Sequence, residues 1–253
     1  MVTRNIVYER LGQLGMQRVR LPLGASEAEP HIPIYVSSDL SQKKRVIIVF
    51  YEHNQDLGTF AVRVVGGPGG INKGSAVNMI KYIQSLDSPD AESPGIILAN
   101  LGQLRWWRRG KQAVTQSTWF ALPQKTAVHG PFRFDPMRNT VPLNRSGEEH
   151  VGYVLGAVTA ELCNAAAKLF IIGVSEGAMQ AVAWLDKLEN WKALGPRVEA
   201  LALLAPYYEV SELENKDFLE WLRKVRDVLS NSDGLISIGT PTARTRELER
   251  PIC

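Results

Sequence analysis

Gly173-Val174-Ser175-Glu176-Gly177 is the stretch of this 253-residue chain whose residue types and spacing most directly suggest chemistry. The pattern G-x-S-x-G sets a serine hydroxyl on a sharp turn between a strand and a helix. Small residues two before and two after it let the two elements approach closely. Both flanks conform. The apolar run Leu169-Phe170-Ile171-Ile172 leads in, and the helix-prone Gly177-Ala178-Met179-Gln180-Ala181-Val182-Ala183-Trp184-Leu185 leads out. Ser175 is therefore the candidate nucleophile, with Gly173, Glu176 and Gly177 as the elbow and the Glu176 amide as a candidate oxyanion donor. A serine hydroxyl is a poor nucleophile without a base in hydrogen-bond reach. In enzymes built on this elbow the partners follow in the order Ser, Asp/Glu, His. Here His31, His53, His129 and His150 all precede Ser175.

The acid belongs after the strand at 198–204, where Glu209 is the positional candidate and Asp217 the second choice; the plainer reading of either is a solvated helix-cap carboxylate. The histidine belongs in the last loop, after Ile238. That loop offers Arg244 and Arg246 but no residue able to accept a proton. A triad in the usual chain order is absent. His53, just past a strand end, is the histidine placed to reach Ser175 across the carboxyl edge of a sheet, as an out-of-order base. His150, one turn into a helix, reads as structural, and His31 and His129 as loop residues.

Arg105-Trp106-Trp107-Arg108-Arg109-Gly110-Lys111 is the one basic-aromatic cluster. Such a cluster could stack bases and contact phosphates, which keeps nucleic acid as a weak alternative partner. The plainer reading is a cation–π packing cluster over the sheet edge. Gly66-Gly67-Pro68-Gly69-Gly70 fits neither phosphate-loop pattern and reads as a flexible turn before a helix. No Cys/His pair has ligand spacing, so no metal and no cofactor is expected. Apolar content of 45%, charged content of 22% and a net charge of +3 are ordinary for a globular protein, and that charge alone implies no nucleic-acid partner. Cys163 and Cys253 make no disulfide framework, the N-terminus lacks an apolar leader, and the apolar runs are strand-sized. The expectation is a soluble, intracellular protein that does not enter membranes.

Strands are expected at 17–23, 33–36, 45–51, 95–100, 169–173, 198–204 and 235–238. Helices are expected at 76–86 behind an N-cap at Ser75, and from a capping box at Ser146 to about Lys168. The elbow helix and a helix at 211–230 complete the set. Residues 101–146 read as an irregular excursion over the strand ends, and 239–253 as a polar tail. This alternation argues for a single domain over 1–253, a three-layer α/β sandwich on a mostly parallel sheet.

Several of these segments recur together in one family. Glu52-His53-Asn54-Gln55-Asp56-Leu57-Gly58, Gly70-Ile71-Asn72-Lys73-Gly74-Ser75-Ala76-Val77 and Asn100-Leu101-Gly102-Gln103-Leu104 come first. Asn139-Thr140-Val141-Pro142-Leu143-Asn144, Glu149-His150-Val151-Gly152-Tyr153-Val154 and the elbow follow in order. Together they resemble the fungal Arb-two domain (Argonaute-binding protein two) over roughly residues 15 to 250. The resemblance implies an α/β-hydrolase-like domain. It is found in a subunit of an Argonaute small-RNA chaperone complex that supports heterochromatin, and fused to the C-terminus of some fungal histone deacetylases. It thus implies protein partners in gene silencing, and a nuclear or cytoplasmic setting. The family elbow commonly reads His-Ser-x-Gly-Gly, where this chain has Val174-Ser175-Glu176-Gly177-Ala178. A His-Glu pair near the family's end corresponds to Arg246-Glu247 here. Both departures favour a binding or scaffolding module with little or no hydrolysis, using Arg105 to Lys111 and the region around Ser175 as contact surfaces. The alternative is an esterase or amidase using Ser175, His53 and Glu209.

Overall fold

Residues 45–50 alternate their side chains between two buried faces, as a central strand must. Val46, Ile48 and Phe50 enter one apolar cluster, while Val49, with Tyr51 just beyond, enters another. In the computed structural model, which describes residues 2–86, 92–124, 126, 128–130, 132–205 and 210–230, this strand lies inside a six-stranded sheet. The strands are β1 (Met16–Leu21), β2 (Ile32–Ser37), β3 (Arg45–Phe50), β4 (Gly95–Leu98), β5 (Arg105–Trp107), β6 (Gln112–Val114), β7 (Lys168–Val174) and β8 (Val198–Leu204). The sheet order is β1-β2-β4-β3-β7-β8, with β5 and β6 forming a separate hairpin. β4, β3, β7 and β8 run parallel, while β2 opposes β4 and β1 opposes β2.

Helices cover both faces. On one, Val151, Val154, Leu155 and Val158 pack with Ala178, Ala181, Val182 and Leu185 of the elbow helix (Glu176–Leu185) against Val46, Ile48, Leu169 and Ile171. On the other, Val7 and Leu11 of the N-terminal helix (Val2–Gln13) pack with Val77, Ile80 and Ile83 against Val49, Ile96 and Leu98. The mostly parallel, three-layer α/β arrangement expected from the sequence is the one that forms.

Local differences have local causes. The N-terminal helix escapes a periodicity reading because Val7 and Leu11 are its only fully buried positions among Thr3–Gln13, a stripe too narrow to stand out. The excursion 101–146 contains the β5–β6 hairpin and a short helix, Gln116–Phe120, capped by Thr115. Gly66–Gly70 connects two one-turn helices, Val62–Val65 and Gly70–Lys73, instead of forming a simple turn. The helix opened by Ser146 runs as Gly147–Tyr153, a π-helical turn at Val154–Val158 and Thr159–Leu162. It stops short of Lys168 because Cys163 is extended and Asn164 closes a turn onto the Ala166 and Ala167 amides at 2.9 Å each. The expected strand at 235–238, the tail 239–253 and Glu209 lie outside the described residues.

Candidate functional site

Among the described residues, four Ser or Thr stand at the N-cap position of a helix, and one behaves differently. Ser75, Thr115 and Ser146 are extended, and each side chain accepts a backbone N–H of its helix. Ser175 has φ 54° and ψ −117°, and its side chain makes no cap hydrogen bond. A non-glycine residue held there stores about 1–3 kcal/mol of strain. The surroundings enforce it. The Ser175 amide donates to the Leu204 carbonyl at the end of β8 (2.8 Å). A Cβ on Gly177 would lie 2.6 Å from the Phe50 backbone, and one on Gly173 2.5 Å from Ala178 Cα. The small residues of the motif are thus what let the elbow helix sit on β3 and β7. With no side-chain cap, the first amides of the helix, Glu176 and Gly177, also lack an intrahelical acceptor.

The loop after β3 brings His53 to this turn. Its Nδ1 pairs with the Glu176 carboxylate, with side chains 54% and 33% exposed, respectively. A carboxylate only accepts, so Nδ1 donates to it, and in the neutral ring Nε2 is the acceptor nitrogen. Among the described residues the Ser175 hydroxyl has no hydrogen-bond partner, His53 included. Glu209 is outside the described residues. Asp217 is displaced from the site. It lines a recess with Asp186, the C-cap of the elbow helix, one helix length of ~15 Å from Ser175.

A buried polar hub holds the loops that surround the elbow. The Asn100 amide donates to His150 Nε2 (3.0 Å), and His150 Nδ1 donates to Asn144 Oδ1 (2.7 Å). Both ring nitrogens are spent, and complete burial holds the His150 pKa down to about 3. Asn100 Nδ2 donates to the Pro33 carbonyl (2.8 Å) and to Gln103 Oε1 (3.0 Å). Gln103 Oε1 also accepts from Tyr8 Oη (3.2 Å) and the Leu57 amide (3.3 Å), and Gln103 Nε2 donates to Asp56 Oδ1 (3.0 Å). Asn100, Gln103, Asn144 and Asp56 therefore fix the His53 loop to the ends of β2 and β4. As single polar residues they carry no local signal of this role. Asn100, closing an apolar strand, is the nearest to one.

The basic-aromatic cluster divides between packing and surface. Trp106 leaves the expected contact surface: it is 3% exposed and packs with Ile32, Ala113 and Val141. The Arg105 guanidinium lies over Phe134 (4.6 Å) and Phe120 (5.6 Å), and that of Arg109 over Phe132 (5.4 Å). Arg108, Arg109 and Lys111 are exposed, and Trp107 is partly so. Among the described residues no three His, Cys, Asp or Glu side chains gather to hold a metal. No described helix is long and apolar enough to cross a membrane. Cys163 is buried, which pushes its thiol pKa up to about 11 and leaves it unreactive.

The family model described as Arb2 domain matches residues 1–232. A search of the curated proteins gave no match. Among solved structures, the peroxisomal alpha-beta-hydrolase Lpx1 of Saccharomyces cerevisiae is 12% identical, over 76% of this chain and 44% of its own, with a TM-score of 0.32. An esterase of Rhizomucor miehei is 12% identical over 88% and 59%, with a TM-score of 0.35. The alpha/beta hydrolase MGS-M1 from a deep-sea metagenome is 14% identical over 80% and 62%, with a TM-score of 0.29. The chain spans less than two thirds of each of these proteins, and likeness at this level carries nothing about activity.

Proposed function

The chain belongs to the Arb2 domain family, and we propose that it serves there as a protein-binding module on a hydrolase-like frame, with weak or no hydrolysis at Ser175. The observation that supports this reading is the Glu176 carboxylate. It is the residue directly after Ser175, and its side chain is paired with His53 beside the elbow. Acyl transfer develops negative charge near the Glu176 amide, and a neighbouring carboxylate opposes that charge. The exposed guanidinium and ammonium groups of Arg108, Arg109 and Lys111 offer a surface for an acidic partner segment. By the family resemblance, the partners are proteins of small-RNA silencing or histone deacetylase assemblies.

One observation favours a second reading, a serine esterase or amidase. Ser175 keeps a strained backbone and an uncapped hydroxyl, which a purely structural turn does not require. His53 would act as base through Nε2, with Glu176 orienting Nδ1 in place of an acid from a later strand. Labelling with a broad fluorophosphonate probe separates the two. Binding-module function predicts no labelling of folded protein. It also predicts that Arg108→Glu with Arg109→Glu abolishes co-purification with silencing proteins from cells. Labelling that disappears in Ser175→Ala would replace the first reading by the second.

A further inference from the structure

Four cations from three separate segments face one recess of about 240 Å³. Arg4 comes from the N-terminal helix, Arg18 and Arg20 from the edge strand β1, and Lys111 from the tip of the β5–β6 hairpin. A single carboxylate lines the same recess. Glu27 reaches Arg20 at 3.8 Å, and its side chain is 86% exposed. Among the described residues, Arg4, Arg18 and Lys111 have no carboxylate partner. Arg4 Nη2 donates to Gln112 Oε1 (3.3 Å), while its Nε is buried with no hydrogen-bond partner among the described residues. A buried guanidinium N–H without an acceptor is costly, and like charges gathered around one recess repel one another while focusing a positive field outward.

An anion in the recess relieves the repulsion among these cations. One carboxylate would neutralise a single cation and leave the rest opposed. A phosphate monoester carries about −1.5 to −2 at neutral pH, and its three oxygens match the planar forks of several arginines. We infer that this recess binds a phosphate group, either as inorganic phosphate or carried on a small phosphomonoester. The site is distinct from the elbow. β1 lies four strand steps from β7, ~19 Å at the usual spacing, although both sites occupy the carboxyl edge of the parallel strands.

The test is calorimetric titration of the full chain with inorganic phosphate, AMP and adenosine at low salt. Phosphate and AMP bind and adenosine does not. Equal affinities identify the phosphate group alone as the ligand, whereas tighter AMP identifies a phosphorylated small molecule. Arg18→Gln and Lys111→Gln, both at exposed positions and checked for folding by circular dichroism, each weaken binding roughly tenfold or more. Arg18→Lys retains part of the affinity, and Lys192→Gln, an exposed position that does not line the recess, leaves it unchanged. No binding at ~10 mM, a concentration that fills even a millimolar site, would overturn the assignment. So would affinity unaltered in both Gln variants, or binding of a 5′-hydroxyl RNA that phosphate does not displace.

Discussion

Acidification should destabilise this protein through His150, by an amount the structure sets. The ring is fully buried, Nε2 accepts from the Asn100 amide, and Nδ1 donates to Asn144 Oδ1. Protonation would turn Nε2 into a donor facing another donor. In the unfolded chain the ring titrates near its ordinary 6.5, while burial holds the folded value at about 3. Its contribution is therefore complete above 6.5 and is lost as pH falls towards 3, because the unfolded state takes up the proton first. At about 1.4 kcal/mol per pH unit, the loss between neutrality and pH 5 is ~2 kcal/mol. That is a sizeable part of the ~5–15 kcal/mol typical of a whole domain. The assay is urea unfolding at about pH 7.5 and about pH 5 for the parent and for His150→Gln, whose amide keeps one donor and one acceptor without titrating. The other histidines and every carboxylate are common to both proteins, so the difference in pH dependence isolates His150. The parent should lose ~2 kcal/mol more than the variant. Equal losses, or an NMR titration of the His150 ring between pH 5 and 8, would refute the buried neutral assignment.

The elbow makes a prediction with an unusual sign: Ser175→Gly should be more stable than Ser175→Ala by ~1 kcal/mol, because only glycine takes this backbone without strain. Thermal melts of the pair read it out, and Ala matching Gly would show that no strain is stored. Gly177→Ala should cost ~1–3 kcal/mol or more in chemical denaturation, since the new methyl meets the Phe50 backbone at 2.6 Å; a neutral change would mean that the elbow helix can shift. Trp106→Ala should cost ~3–5 kcal/mol, against within ~0.5 kcal/mol for exposed Arg108→Ala. Partner binding lost in the Trp106 variant with stability intact would return that side chain to the contact surface.

Much of the architecture was legible because its causes are local. The apolar continuity of 45–50 and 169–174, the caps at Ser75 and Ser146 and the spacing of Gly173, Ser175 and Gly177 each depend on residues a few positions apart. Steric and hydrogen-bonding rules act on that scale, and they specify strand, helix and strained turn without knowledge of the fold. The order of the motifs likewise sufficed to recognise the family, which the match over residues 1–232 bears out.

What the side chains at those places touch was decided elsewhere. That His53 meets Glu176 follows from β3 lying next to β7, a choice of sheet order that pairs residues 123 positions apart. Trp106 turned inward because β2 supplied Ile32 as a wall. Asn100, Asn144 and His150 form one hub only once the excursion has folded back on the strand ends. Arg4 and Arg18 belong to no motif, Lys111 ends the basic-aromatic cluster, and only the packing of helix, edge strand and hairpin sets them around one recess. The backbone responds to its neighbours in sequence. A charge or a proton-transfer partner responds to distance in space, and that distance exists only after the layers have closed.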